Sequence, residues 1–168
     1  MLYERIDIER AIELIGSPSA PSVLVLLCDE EGATALRSAL VARPVRLPLS
    51  WISLHGDDVD TNGFARRLLE ALNLPEPPPG PLDRPAVDTI ADGLNRLLDS
   101  QAARLLVIEG IETASSLADR AAVSYLLEFL PDTLRVILLT LQIPPVGIPR
   151  LLVRQRVQVF VLDGSARQ

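Results

Sequence analysis

Residues 23–36 read VLVLLCDEEGATAL, and the pattern of that stretch changes twice. VLVLL at 23–27 is a continuous apolar run behind Pro21. Its length and its valines predict a strand buried on both faces, where the in/out alternation of a half-exposed strand is lost. Asp29, Glu30, Glu31 and Gly32 then read as an acidic turn, and the spacing of Ala33, Leu36 and Leu40 predicts a helix closing near Arg43 and Pro44. Strand, tight turn and helix are half of a parallel βαβ unit.

The unit recurs on either side. LSWISL at 49–54 predicts a second strand, HGDDVDTN a polar turn with Asp60 or Thr61 as helix cap, and Phe64, Leu68, Leu69 and Leu72 one face of a helix. Ile90, Leu94, Leu97 and Leu98 mark another helix, followed by a strand at 104–109, RLLVIE. Val123, Leu126, Leu127 and Leu130 line a further helix stopped by Pro131; LRVILLT at 134–140 and VQVFVLD at 157–163 are the fourth and fifth strands. Ahead of them all, Ile8, Ala11, Ile12 and Ile15 predict an amphipathic helix over 4–15, ended by Gly16 and Pro18. Five apolar strands alternating with helices predict an α/β fold, a five-stranded parallel sheet covered on both faces. PEPPPGPLDRP at 75–85 fits neither helix nor central strand, since proline lacks the amide donor and fixes the backbone near polyproline geometry. It reads as a stiff surface connection within a single domain of residues 1–168, the rival being a docking ligand for an aromatic groove.

Composition bounds the chemistry. The chain has 168 residues, 48% of them hydrophobic, enough for a domain that buries roughly 70% of its unfolded surface without disulfides or a structural metal. Cys28 and His55 are the only cysteine and the only histidine, which rules out a Cys/His zinc site and fits a reducing compartment, the cytoplasm. The 16 cations are all arginine against 22 acids, a net charge of -6. Absence of lysine excludes a Schiff-base lysine, a Ser-Lys dyad and the lysine of a phosphate loop; it also points to a GC-rich genome and nothing more. No basic stripe is present to neutralise phosphates, so nucleic acid is not the expected partner; Arg150, Arg154 and Arg156 are the nearest candidate. MLYERIDIER is too charged for a signal peptide, and no apolar run reaches the roughly 20 residues of a membrane span.

In open parallel sheets ligands bind beyond the carboxyl ends of the strands. There, CDEEGATAL has the shape of a phosphate-binding loop and the wrong chemistry: one glycine, Gly32, with Asp29, Glu30 and Glu31 where bare amides are needed. At an effective dielectric of about 20 and a separation of about 6 Å, each like-charge pair with a phosphate costs roughly 3 kcal/mol. A helix dipole returns about 2 kcal/mol at most.

Three segments carry a resemblance to a known family. VLVLLCDEEGATAL aligns without a gap to an apolar strand followed by PAGYGKTTL. WISLHGDD with FARRLLEAL is similar to W-x-S-L-D-E-G-D-N and the leucine-rich helix after it. LLVIEGIE, then LEFLPDTLRVILLTLQIPPVGIPRLLVRQRV, resembles a Walker B strand, an L-P-x-N-L-R strand and a loop with P-P-L-x-I-x-x-L-R. Over residues 20–162 the chain resembles the nucleotide-binding core of the STAND ATPases of the MalT and LuxR-type large regulators. The resemblance implies a three-layer P-loop NTPase-like sandwich of the RecA/AAA type, and it implies losses. The Walker A lysine falls on Ala33 and the magnesium-binding hydroxyl on Thr34. The two Walker B acids fall on Glu109 and Gly110, so only the first keeps a carboxylate able to hold a metal. The sensing serine-arginine pair falls on Thr140 and Leu141.

Other single residues read more plainly. His55 follows a strand end as a general base would, yet no serine or cysteine nucleophile is spaced for a triad, and a solvated loop histidine is the expectation. Cys28 sits beside carboxylates that raise a thiol pKa, which predicts an unreactive buried filler. Asp57, Asp58 and Asp60 read as capping and solvation, the rival being a cation site completed by Glu109. Trp51 is expected in the core.

The expected function is therefore that of a catalytically inactive P-loop NTPase-like domain, a pseudo-ATPase that binds another protein or itself, with no cofactor, no metal, no nucleotide and no membrane partner. Two rivals stand beside it: an atypical sensor taking a magnesium-nucleotide complex on Glu30, Glu31 and Glu109, and a non-catalytic subunit of a RecA-like or STAND heteromer.

Overall fold

A computed structural model describes residues 3–54, 63–74, 86–100, 102–113, 117–143, 148, 150, 154 and 156–164. In chain order the elements are β1 (Glu4–Asp7), α1 (Ile8–Gly16), β2 (Val23–Leu27), α2 (Glu30–Ala42), β3 (Leu49–Ser53), α3 (Gly63–Ala71) and α4 (Ala86–Ser100), then β4 (Arg104–Glu109), a 3-10 turn (Ile111–Thr113), α5 (Leu117–Glu128), β5 (Leu134–Thr140) and β6 (Val157–Asp163). The strands form one parallel sheet in the order β1-β6-β2-β5-β4-β3. At its centre Val25 lies between Leu138 of β5 and Val159 of β6.

Alternation along the central strands sorts their side chains into two cores. Leu24 and Leu26 of β2, Leu105 and Val107 of β4, and Ile137 and Leu139 of β5 meet Ile15 of α1 and Leu36 and Leu40 of α2. Val23, Val25, Leu106, Ile108, Val136 and Leu138 face the other way, onto Phe64 and Leu68 of α3, Ile90 and Leu97 of α4, and Val123 and Leu126 of α5. The result is three layers, with α1 and α2 on one face and α3, α4 and α5 on the other among the described residues. Each strand face is apolar because each is covered, which is why these strands read as unbroken hydrophobic runs.

The sheet has six strands where five were expected, because the stretch predicted as a helix over 4–15 divides at Asp7. Glu4–Asp7 runs parallel to β6 at the sheet edge, Glu4 opposite Phe160 and Ile6 opposite Leu162, with Ile6 buried. Asp7 stays extended (φ -86°, ψ 173°) and its Oδ1 accepts the Arg10 amide at 2.9 Å, capping α1 one residue later. At the other end of α1, Arg135 Nη1 donates to the Ile15 and Ser17 carbonyls at 2.9 and 2.8 Å. Burial lowers the pKa of this guanidinium from its usual value, and the two carbonyls at the negative end of the helix are the compensation.

Two other boundaries move. Helix α2 begins at Glu30, three residues before the expected Ala33, and α5 stops at Glu128, leaving Leu130 buried just beyond it. The proline-rich residues 75–85, His55, and Asp57, Asp58, Asp60 and Thr61 lie outside the described residues. Among the described residues no helix is long and apolar enough to cross a membrane.

Candidate functional site

With every strand parallel, all carboxyl ends open on one edge of the sheet. Strand β2 lies between β5 and β6; the chain leaves it toward β3 on one side, and passes from β5 over β2 to β6 on the other. That reversal opens a crevice at the end of β2, the place where doubly wound sheets take ligands.

The connection leaving β2 is short. Only Cys28 and Asp29 separate β2 from α2, so the acidic turn expected at 29–32 is mostly helix. Asp29 is the cap: extended at φ -81° and ψ -178°, it accepts the Gly32 amide on Oδ1 at 2.8 Å, while its carbonyl takes the Ala33 amide at 3.0 Å. Glu30 and Glu31 occupy the first turn, where carboxylates favour the positive end of the helix. Thr34 is exposed on α2, and its hydroxyl donates back to the Glu30 carbonyl at 2.9 Å. Gly32 is buried because the end of β6 presses on it: a Cβ on Gly164 would lie 2.8 Å from the Gly32 Cα. Packing, not ligand access, thus accounts for the single glycine of this turn.

The other predicted positions gather around the same crevice. A cavity of about 210 Å³ is lined by Asp29, Glu30, Ala33, Glu109, Gly110, Thr140 and Leu141, together with Cys28 and Glu112. A second cleft of about 570 Å³ lies on the β6 side, between Arg5, Glu31, Leu141 and Asp163. Burial first, then the charges of Asp29, Glu109 and Glu112, push the Cys28 thiol up to about 12, against the lowering effect of a backbone hydrogen bond from Thr140. Such a thiol is almost never a thiolate near neutrality.

Glu109 ends β4 and turns toward β3. Its Oε2 accepts from the Trp51 indole at 3.0 Å and the Ser53 hydroxyl at 3.1 Å, and Arg37 Nη2 of α2 stands 3.5 Å away. Trp51 is only partly buried, its indole held by this bond rather than sealed in the core. Gly110 follows with φ 77°, in the left-handed region where a side chain is strained. Thr140 is buried, and its one hydroxyl proton faces both Glu112 Oε2 and the Gln142 carbonyl, each at 2.8 Å. Leu141 is 62% exposed at the rim of both clefts.

Sequence reasoning missed Arg37, Ser53 and Glu112. Arg37 and Ser53 reach Glu109 from other elements, and no local pattern announces such contacts. Glu112 had a weak signal, an acid three residues after Glu109 beyond a glycine.

These residues do not fit a magnesium-bound nucleotide. The first-turn amide of Gly32 is taken by Asp29, the Thr34 proton is spent on its own helix, Glu109 Oε2 is surrounded by donors, and Gly110 offers no side chain. Among the described residues no three His, Cys, Asp or Glu side chains come together as a metal site.

No protein-family model matches the chain, and no curated protein matches it. Among solved structures it is similar to the Aeropyrum pernix ORC2 protein, whose structure was described as ADPNP-ADP complexes, at 10% identity and a TM-score of 0.48. That likeness covers 92% of this chain and 44% of that one.

Proposed function

We propose that this chain is a degenerate P-loop NTPase-like domain, akin to the core of the STAND regulators, that neither binds nor hydrolyses nucleotide and acts as a protein-binding or assembly module. One observation carries the proposal. The Asp29 carboxylate caps α2 through the Gly32 amide, in a connection of two residues, where a phosphate-binding domain needs open amides on a longer loop. An anion belonging to the chain itself already sits at that helix end, and Glu30 and Glu31 add repulsion against a second one.

Two further features support the reading. The positions that resemble phosphate loop, Walker B and sensor line one cavity, as they would in a domain descended from an active one. Apolar side chains remain at the surface, Leu141 at 62% exposure above the crevice and Phe129 at 54% beside Tyr125, with their ring centroids 4.6 Å apart.

Calorimetric titration of the whole chain with Mg-ATP and with Mg-ADP tests the proposal. No binding heat is expected at millimolar nucleotide, and a dissociation constant below about 100 μM, some -5.5 kcal/mol, would overturn it.

A further inference from the structure

We propose that Arg37 is the resident cation of the strand-end carboxylate, and that Glu109, paired with it, clamps edge strand β3 and helix α2 onto β4 instead of ligating a metal. The inference deepens the reading above and rests on it only in treating this edge of the sheet as the former nucleotide site.

The geometry is specific. Three donors from two elements converge on one oxygen: Trp51 Nε1 and Ser53 Oγ of β3, and Arg37 Nη2 of α2. Arg37 also donates to Ser53 Oγ at 3.3 Å, so the Ser53 hydroxyl accepts from Arg37 while it donates to Glu109. The guanidinium carbon lies 4.5 Å from the centroid of the Trp51 ring. A planar guanidinium can stack on the indole and reach the carboxylate at once; a lysine ammonium cannot do both with one plane. Strand β3 has a single neighbour, β4, and Arg67 Nη1 closes its last outward carbonyl, that of Ser53, at 2.8 Å. The clamp therefore sits at an edge of the sheet. The Glu109 side chain is 19% exposed and that of Arg37 51% exposed, so the pair is sheltered on the acid side and wet on the other. A divalent ion at Glu109 would meet an Oε2 already engaged by Trp51 and Ser53 and would have to face the Arg37 guanidinium.

Trp51 is the single tryptophan and reports the clamp directly. Arg37→Gln and Glu109→Gln should each red-shift its emission and increase acrylamide quenching, with Arg37→Lys in between. In urea unfolding each glutamine variant should raise the unfolding equilibrium constant about fivefold, and the double variant by no more than either alone, because both remove one interaction. Millimolar Mn²⁺ should leave the wild-type emission unchanged. Unchanged emission and quenching in both single variants would overturn the clamp, as would Mn²⁺ quenching of the wild type that Glu109→Gln abolishes. Arg37→Gln is a surface change and keeps the test open if Glu109→Gln fails to fold. Nucleotide binding with the clamp signature intact would sink the proposed function and leave this inference standing; loss of the signature without nucleotide binding would do the reverse.

Discussion

Replacing Asp29 tests whether this carboxylate acts as the helix cap that closes the crevice. In Asp29→Ala the Gly32 amide loses its 2.8 Å acceptor, and cap losses of this kind cost about 1 kcal/mol. Part of that returns. Asp29, Glu30 and Glu31 are consecutive and exposed, and relieving one repulsion at about 6 Å in a water-like dielectric gives about 0.7 kcal/mol, less in salt. Asp29→Asn keeps an acceptor at the cap and sheds the charge, so it should be near neutral. With a urea slope of about 2 kcal/mol per M, the alanine variant should lose up to about 0.5 M in its midpoint and the asparagine variant almost nothing. A second readout separates charge from cap. Asp29 is one of the charges that hold the Cys28 thiol near 12, so both variants should alkylate faster with iodoacetamide, by similar factors. Equal midpoints for alanine and asparagine would refute the capping role, and an alkylation rate untouched by either would refute the electrostatic one.

Three other outcomes follow from the same geometry. Gly164→Ala should cost about 1–3 kcal/mol, because its Cβ would meet the Gly32 backbone at 2.8 and 3.1 Å; Gly16→Ala, with nothing within 4 Å, should be neutral or stabilising, and thermal melts of the pair settle it. Gly110→Asp restores the second acid of the resemblance at a backbone with φ 77°; it should lower stability by about 1 kcal/mol and give no phosphate release from Mg-ATP. The Cys28 thiol is raised in the folded chain from an ordinary 9.0 to about 12, so between those values the unfolded chain releases a proton that the folded one keeps. Stability is then full below pH 9 and falls as pH rises toward 12; chemical denaturation across that range should show the fall, and Cys28→Ala should flatten it.

Where the sequence was legible, one signal dominated. Strands β2, β4, β5 and β6 fall on the apolar runs that predicted them, since a strand covered on both faces has no competing pattern. At the N-terminus two periods overlap. Ile6 and Ile8 are two apart, as in a strand, while Ile8, Ile12 and Ile15 follow helical spacing, and the helical period hid the short strand ahead of Asp7. The cap would have marked the boundary: Asp7 precedes α1 and Asp29 precedes α2, each followed by an acid in the first turn. Reading DEEG as a turn overlooked that signature and made the β2–α2 connection three residues too long. Contacts such as Trp51 to Glu109, 58 residues apart, depend on β3 and β4 becoming neighbours, which apolar runs alone do not specify.

On the proposed reading, the boundary of α2 also bears on how a former phosphate site would have come to be closed. A phosphate loop spends its amides on a ligand and leaves its helix uncapped in the ligand's absence, so losing the ligand leaves polar groups without partners. Here several of the groups at these positions have partners within the chain: Gly32 from Asp29, Thr34 from Glu30, Glu109 from Trp51, Ser53 and Arg37, and Thr140 from Glu112. Reversal by one substitution is therefore not expected. A lysine at Ala33 would enter a crevice in which Asp29, Glu109 and Glu112 are already bonded and whose loop is too short to wrap a phosphate, and the repairs would have to be made together.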